Sequence, residues 1–550
     1  MRRSPSCFAV AVLGATWCCA VPALAQLTLD GGEVQVTMTT LASAFQGAPA
    51  VAWEPAGDYV VAWQQQSATT GGWDIVAQQF RANGGAPPTA MGPVLPASGP
   101  STAYCRQSPG VATDAAGDFV VVWASNEETG GLHGIFGQLY NSAGQAQGQF
   151  QVNTTMADDD LAPAVAMMAD GRFLVAWQSN GQDSSSWGIV ARAYKAAGGG
   201  PASGEIAVNM TMAGAQHSPA VAYLPASAAV AAERFEVVWQ AEGQDGTGIG
   251  ASGIVGRAFD SAGNPQSGEL AINLPATGAH SHPRIASDPS GNFVTAWDGL
   301  TAAGSVVLAR RFNAAGTPLS GQLMVDASPS GPAHDPVVAA NAVGDFVVVW
   351  DGLGQDGSGA AVLTQAFDNR SQPLGSKMQL NTTTAGDQAF ASVGLSAGGS
   401  LMVAWQSQTA AADAAVITAR AAALPLQLYT VPPCRMVDTR NAAGPLGGPI
   451  LTSGQARNFP LLSAACGVPA TAKALSINAT AVTPSAAGSL TIYPGDAATP
   501  LASNLNYNAG AVRANNAIAG LSRNGDGSVT VLPIGSGNLH FIIDVNGYFQ

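Results

Sequence analysis

"SGEIAVNMTMAGAQHSPAVAY", residues Ser203 to Tyr223, has a near copy in "GGEVQVTMTTLASAFQGAPAVAW", Gly31 to Trp53. Each runs from a short Gly-Glu strand, through a polar connection, into an apolar strand led by proline. One lies mid-chain and the other near the start, so both belong to one internal repeat. The landmark of that repeat is a strand ending in tryptophan. It reads "DYVVAW" (Trp63), "DFVVVW" (Trp123), "RFLVAW" (Trp177), "FEVVW" (Trp239), "NFVTAW" (Trp297), "DFVVVW" (Trp350) and "SLMVAW" (Trp405), at spacings of 53 to 62 residues.

Three further runs accompany it. Before it stand "APAVAW", "SPGVAT", "APAVAM", "SPAVAY", "HPRIAS" and "DPVVAA"; after it come "DIVAQQF", "GIFGQLY", "GIVARAY", "GIVGRAF", "VVLARRF" and "AVLTQAF". A turn then leads to "GQFQVN", "GEIAVN", "GELAIN" or "GQLMVD". Runs of 4–7 residues, rich in Val, Ile, Phe and Trp and bounded by Gly, Asp, Asn or Pro, are strands. No stretch carries the 3.6-residue apolar period of a long helix. In "DFVVVW" both faces are apolar, so the strand is covered on both sides. Four strands per repeat and seven repeats predict an all-β chain with a seven-bladed β-propeller over residues 26–425. The seventh repeat ends after its third strand, "AVITARAAAL", whereas the start of the chain offers a fourth strand, "GGEVQV", with no first three. The expected closure pairs the two. The pattern resembles the blades of secreted bacterial propeller proteins, loosely the WD40-like and TolB types. That resemblance covers residues 31–425 and implies a fold, since propellers host many activities.

From Leu426 the repeat vanishes. Short alternating runs such as "ALSINATAV", "GSLTIYPGD" and "GSVTVLP" predict a C-terminal β-sandwich or small β-barrel over 426–550. The segment is similar to a recurrent C-terminal module of secreted bacterial proteins. It starts Cys-Arg-x-x-Asp-Thr-Arg (Cys434 to Arg440) and ends Asp-Val-x-Gly-Tyr-Phe (Asp544 to Phe549). Its polar residues Asp438, Arg440, Arg513 and Asp544 read as internal ion pairs or turn caps.

The first residues, "MRRSPSCFAVAVLGATWCCAVPALAQ", combine a charged start, an apolar stretch and a small-residue cleavage site at Ala23-Leu24-Ala25. That is the pattern of a signal peptide over residues 1–25, which predicts a secreted or cell-surface protein, extracellular or periplasmic. Cys7, Cys18 and Cys19 leave with it. Of the remaining three, Cys434 and Cys466 share the C-terminal segment and are paired here, leaving Cys105 free; closing that loop contributes roughly 3–4 kcal/mol in the chain-entropy picture. The formal net charge is −14, only 10% of residues are charged, and lysine occurs just three times. With no basic cluster, nucleic acid and anionic membrane are poor partners. No apolar stretch after the first is long enough for a transmembrane helix.

Candidate chemistry gathers on long loops. The connections between second and third strands include "QSNGQDSSSWG", "QAEGQDGTGIGASG" and "DGLGQDGSGA", and they share a face with those between repeats. Binding concentrates on such loops. Trp73 and Trp187 lie in second-to-third connections and are candidates for stacking on a sugar ring. Asp183, Asp245 and Asp356 sit in the "GQD" turns as further ligand candidates. No D-x-[DN]-x-[DN]-G loop occurs, and Asp-Gly is also an ordinary turn, so calcium has weak support. His217, His280, His282 and His334, with Asp335, fall just before first strands of repeats four to six. Imidazole beside carboxylate could bind zinc; the competing reading is loop residues in solvent. No cofactor is required by the sequence.

No G-x-S-x-G elbow or sialidase-type Asp box occurs. The leading expectation is therefore an exported, non-enzymatic binding, adhesion or scaffolding protein. It would be a monomer presenting one loop face to polysaccharide or to a cell-surface protein. The alternative is a carbohydrate-active hydrolase or lyase with its site at the channel mouth. A metal-dependent enzyme built on the histidines is a third reading.

Overall fold

The computed structural model describes residues 26–550 except 37–44, 55–56, 68–70, 83–87, 100–103, 128–130, 184–185, 197–199, 245–250, 276–277, 302–303, 327–330, 409–414, 463–464 and 523–525. The signal-peptide expectation and Asp245 fall outside these residues.

Among the described residues every long element is a β-strand, and the strands form nine sheets. Seven follow the repeat. Six of those have four strands; the first, from Gln46–Trp53 to Trp73–Arg81, adds two short outer strands, Thr89–Ala90 and Leu95–Pro96. All pair antiparallel, in order from an inner strand, proline-bearing in the first six, to an outer one. Each inner strand also touches the inner strands of the sheets before and after it, and Gln388–Leu395 of the last meets Gln46–Trp53 of the first. Repeated four-stranded antiparallel sheets in this order are consistent with a propeller.

The core explains why both faces of "DFVVVW" are apolar. Each neighbouring pair of sheets shares one buried cluster. Val120 and Val122 of the second sheet pack with Trp177 of the third, and Val61 and Trp63 of the first pack with Ala404 and Ile417 of the seventh. All seven repeat tryptophans are buried. They are wedges between sheets, not a sugar platform.

The seventh sheet runs Gln388–Leu395, Ser400–Gln408, Ala415–Ala423 and then Thr28–Gln35. Thr28 pairs with Ala423 and Gln35 with Thr418. Side chains fasten this strand as they fasten the others. Glu33 accepts hydrogen bonds from the amides of Thr382 and Thr383 and from the Thr383 hydroxyl, the last at 2.7 Å. Glu205 holds Thr154 and Thr155 in the same way, and Glu269 holds Met210 and Thr211. Each Glu stands on the outer strand of one sheet (Glu33) or directly before it (Glu205, Glu269) and grips the segment leaving the sheet before it. Arginines on third strands add a second tie. Arg192 donates to the Val152 carbonyl at 2.7 Å, Arg257 to Val208 at 2.9 Å, Arg310 to Ile272 at 2.8 Å and Arg420 to Leu380 at 2.7 Å.

After Leu426 the remaining two sheets share one core that includes Leu475, Ile477, Val531, Phe541 and Ile543. A disulfide joins Cys434 to Cys466, and Cys105 is free. Tyr429 donates a hydrogen bond to Asp345 of the sixth sheet at 3.4 Å, so the two parts of the chain touch.

Candidate functional site

Every inner strand carries a β-bulge, and at each bulge one residue has positive φ. These are Ala48, Ser108, Ala162, Ser218, His282, Asp335 and Phe390, with φ between 47° and 55°. Proline follows in the first six and Ala391 in the seventh. An L-residue in this region is strained by about 1–2 kcal/mol. Seven such residues, one per sheet, persist because the packed repeat fixes them. The bulge segments of all seven inner strands line one cavity of about 550 Å³. This is the central channel.

The seven bulge positions are structurally alike and chemically unlike. Five hold Ala, Ser or Phe; the adjacent fifth and sixth sheets hold His282 and Asp335. A second position sharpens the contrast. The residue after each tryptophan is Gln64, Ala124, Gln178, Gln240, Asp298, Asp351 and Gln406 in order. Gln178 shows what this position ordinarily does, since its side-chain oxygen accepts the Ser218 amide of the next sheet at 2.9 Å. Asp351 does the same for the Phe390 amide at 2.8 Å. The backbone duty needs only a neutral oxygen. The charge in the fifth and sixth sheets needs another reason.

These residues meet. His282 Nδ1 lies 2.7 Å from Asp298 Oδ2 and 3.5 Å from Asp335 Oδ1. His334 Nδ1 lies 3.1 Å from the other Asp335 oxygen and is cross-strand partner of Asp351. His282 is half exposed, His334 and Asp335 about a third exposed, while Asp298 and Asp351 are buried behind them. One oxygen of Asp298 and one of Asp351 have no protein partner. Arg284, two residues after His282, lines the channel and among the described residues donates to the Pro283 carbonyl at 3.0 Å.

Electrostatics follow from burial and partners. Desolvation pushes the Asp351 carboxyl up to about 7. It also raises Asp298, against the pull of His282. The bond to His334 holds Asp335 below the usual carboxylate range. His282 is raised by its bond to Asp298, and His334 by its bond to Asp335. Arg284 has accessible surface, yet protein walls the channel around it, and that desolvation lowers its pKa.

The other sequence candidates separate. His280 is buried, and its Nδ1 accepts the Trp297 indole N–H at 3.1 Å; Gln388 does the same for Trp405. It is a core residue and no part of the mouth. His217 packs on the Trp187 ring at 5.8 Å, one sheet from the cluster, and burial lowers its pKa. All four histidines lie within inner strands, not before them, because the bulge extends each strand at its start. Trp73 and Trp187 likewise open third strands rather than lying in the connections, and both are partly buried. Asp183 accepts from Ser186 and Asn209, and Asp356 from Ser358 and Asn381. Both hold their own turns. In the C-terminal part Asp438 pairs with Arg440 at 2.7 Å and Asp544 with Arg435 at 2.8 Å; the Arg440 bonds draw Asp438 down to about 2.

Sequence reading missed Asp298, Asp351 and Arg284. "WDGL" looks like the start of a turn. The signal lay in alignment of the chain with itself, where Asp replaces Gln or Ala after tryptophan in two repeats only.

No family model matches the chain, and no curated protein matches it. Solved structures similar to it include a protein of unknown function from Dyadobacter fermentans, 10% identical with a TM-score of 0.42 over 74% of this chain and 100% of that one. A polysaccharide lyase of the ulvan lyase type is 9% identical, with a TM-score of 0.44 over 72% and 94%. An alpha-L-arabinanase from Penicillium chrysogenum is 12% identical, with a TM-score of 0.38 over 73% and 99%. No helix among the described residues is long and apolar enough to cross a membrane.

Proposed function

We propose that this chain is an exported carbohydrate-active enzyme, a hydrolase or lyase. Its architecture is a seven-bladed β-propeller over 26–425, closed by the N-terminal strand and followed by a sandwich-like module over 426–550. The site is the channel mouth between blades five and six. One observation carries this reading. The imidazole of His282, the carboxylates of Asp298, Asp335 and Asp351 and the guanidinium of Arg284 gather at register positions that hold Ala, Ser, Gly, Gln or Phe in the other five sheets. A scaffold needs no such departure. Cleaving a glycosidic bond needs groups that move protons and stabilise developing charge. Asp335 lines the cavity with His282 and His334 bonded or close to its carboxylate, and Arg284 adds the positive charge. Partly buried Trp187 beside His217 supports a sugar-binding wall two sheets away.

The same Trp187 supports the second reading, a non-enzymatic polysaccharide-binding protein. One experiment decides. Residues 26–550 are incubated with a panel of neutral and acidic polysaccharides, reading retention and release of reducing or unsaturated ends together. Release is expected, and its loss in the Arg284→Ala variant ties it to the mouth. Retention without release from any substrate overturns the enzyme in favour of the binding protein.

A further inference from the structure

The cluster at the mouth crowds the carboxyls of Asp298, Asp335 and Asp351 against two imidazoles. Asp298 and Asp335 converge on one imidazole nitrogen, at 2.7 and 3.5 Å. Arg284 makes no ion-pair contact with either among the described residues, although its charge acts on both. Asp298 is more than nine-tenths buried and keeps an oxygen without a partner. Burying carboxylates together is costly unless cationic groups or a metal ion sit among them. One imidazole nitrogen and two carboxylate oxygens, one from each side chain, lie within 4.8 Å of one another. Donors around a tetrahedral zinc ion stand roughly 3.3 Å apart, given bonds of about 2.0–2.2 Å. The set therefore needs little movement to close on an ion.

We infer that His282, Asp298 and Asp335 form a binding site for one divalent cation of the zinc or manganese class, open to the channel at its remaining positions. Two carboxylates and one imidazole neutralise a 2+ charge, and mixed nitrogen and oxygen donors suit these metals better than calcium. His334 bonds the second oxygen of Asp335 and fixes its orientation, as outer residues around metal ligands do. Asp335 and the neighbouring Arg284 line the cavity, so a substrate oxygen or water would reach the ion from that side. This inference deepens the enzyme reading and rests on it for the ion's role, but ion binding is measured without substrate.

The repeat itself supplies variants that suit the backbone. Ala occupies the His282 position in the first and third sheets, Gln the Asp298 position in four, and Ser the Asp335 position in the second and fourth. The full chain is stripped with chelator and titrated calorimetrically with zinc chloride and with manganese chloride. One equivalent should bind and raise the unfolding temperature. His282→Ala, Asp298→Gln and Asp335→Ser should each weaken binding by about 100-fold or more, and His334→Ala by about 10–100-fold. His133→Ala, which removes the other His–Asp pair of the described residues, should bind as the parent does. No binding of either ion by the parent overturns the site. So does binding that survives Asp298→Gln and Asp335→Ser together in a chain whose circular dichroism is unchanged. Ion binding without release of sugar ends removes the enzyme reading alone; release that persists in chelator, with no ion bound, removes the cation alone.

Discussion

The outer edges of the sheets and the channel mouth are built from the same repeat and treat it in opposite ways. At the outer edge Glu33, Glu205 and Glu269 make the same three hydrogen bonds, whatever sheet they belong to. At the mouth the bulge is kept seven times, but its side chain changes from Ala to Ser to His to Asp to Phe. The outer-edge tie recurs around the ring, with Gln322 accepting the Leu274 amide in the fifth sheet. The charged side chains at the mouth are confined to one sector. Departure from the repeat is the more informative signal of function, and adherence to it the signal of architecture.

That contrast can be broken in order of effect. Deleting residues 26–40 removes the outer strand of the last sheet and its Glu33 tie. Calorimetry should show a large fall in unfolding temperature and loss of a single cooperative transition; retention of the full temperature would place the frame elsewhere. At the mouth, His282→Ala should lower release of sugar ends by about 100-fold or more and leave the denaturant midpoint within about 1 kcal/mol of the parent. A comparable loss of stability would make the cluster part of the frame.

Glu236 reverses the pattern, since it places a carboxyl inside the frame. It stands where other sheets carry Val, Leu or Met, and a Cβ added at Gly256 would lie 3.0 Å from its oxygen. Burial raises its pKa from 4.5 to about 7. The folded state holds the proton, so stability is full below pH 4.5 and declines as pH rises to about 7. Glu236→Gln should therefore match the parent near pH 4 and exceed it by about 3 kcal/mol at pH 8 in denaturant titrations.

Glu33 has the opposite sign. Burial raises its pKa, but the hydrogen bonds from Thr382 and Thr383 outweigh it and the net shift is downward. Its stabilisation is present above the unfolded value of 4.5 and is lost as pH falls through the folded value. Glu33→Gln should cost about 1–2 kcal/mol at pH 7, with the difference closing in acid. Smallest of all, Ser108→Ala exchanges one silent bulge residue for another and should change stability by less than about 0.5 kcal/mol.

The strand pattern was legible because a packed sheet needs apolar residues on both faces, and tryptophan marks one register in every copy. The closing strand was legible because Glu33 repeats Glu205 in sequence. At the mouth, His282, His334 and Asp335 were visible as unusual residues near proline. His280 misled, because a histidine buried as an acceptor for an indole looks the same in sequence as one facing a channel. Asp298 and Asp351 hid behind the tryptophan landmark, where an Asp-Gly pair has a ready meaning as a turn. Only the bulge, which sets each inner strand's register against the second strand, brings those carboxylates to the histidines.

The pairing of Thr28–Gln35 with Ala415–Ala423 also sets a schedule. Thr28 and Ala423 are 395 residues apart, so the strand made early has no partner until the last sheet exists. Contacts of such long separation form slowly. Until the two pair, the leading strand, and then the edge of Ala415–Ala423 once it is made, stay open to pairing with another chain. For this one strand the order of synthesis and the order of pairing part: a segment made early pairs only with one made some 395 residues later.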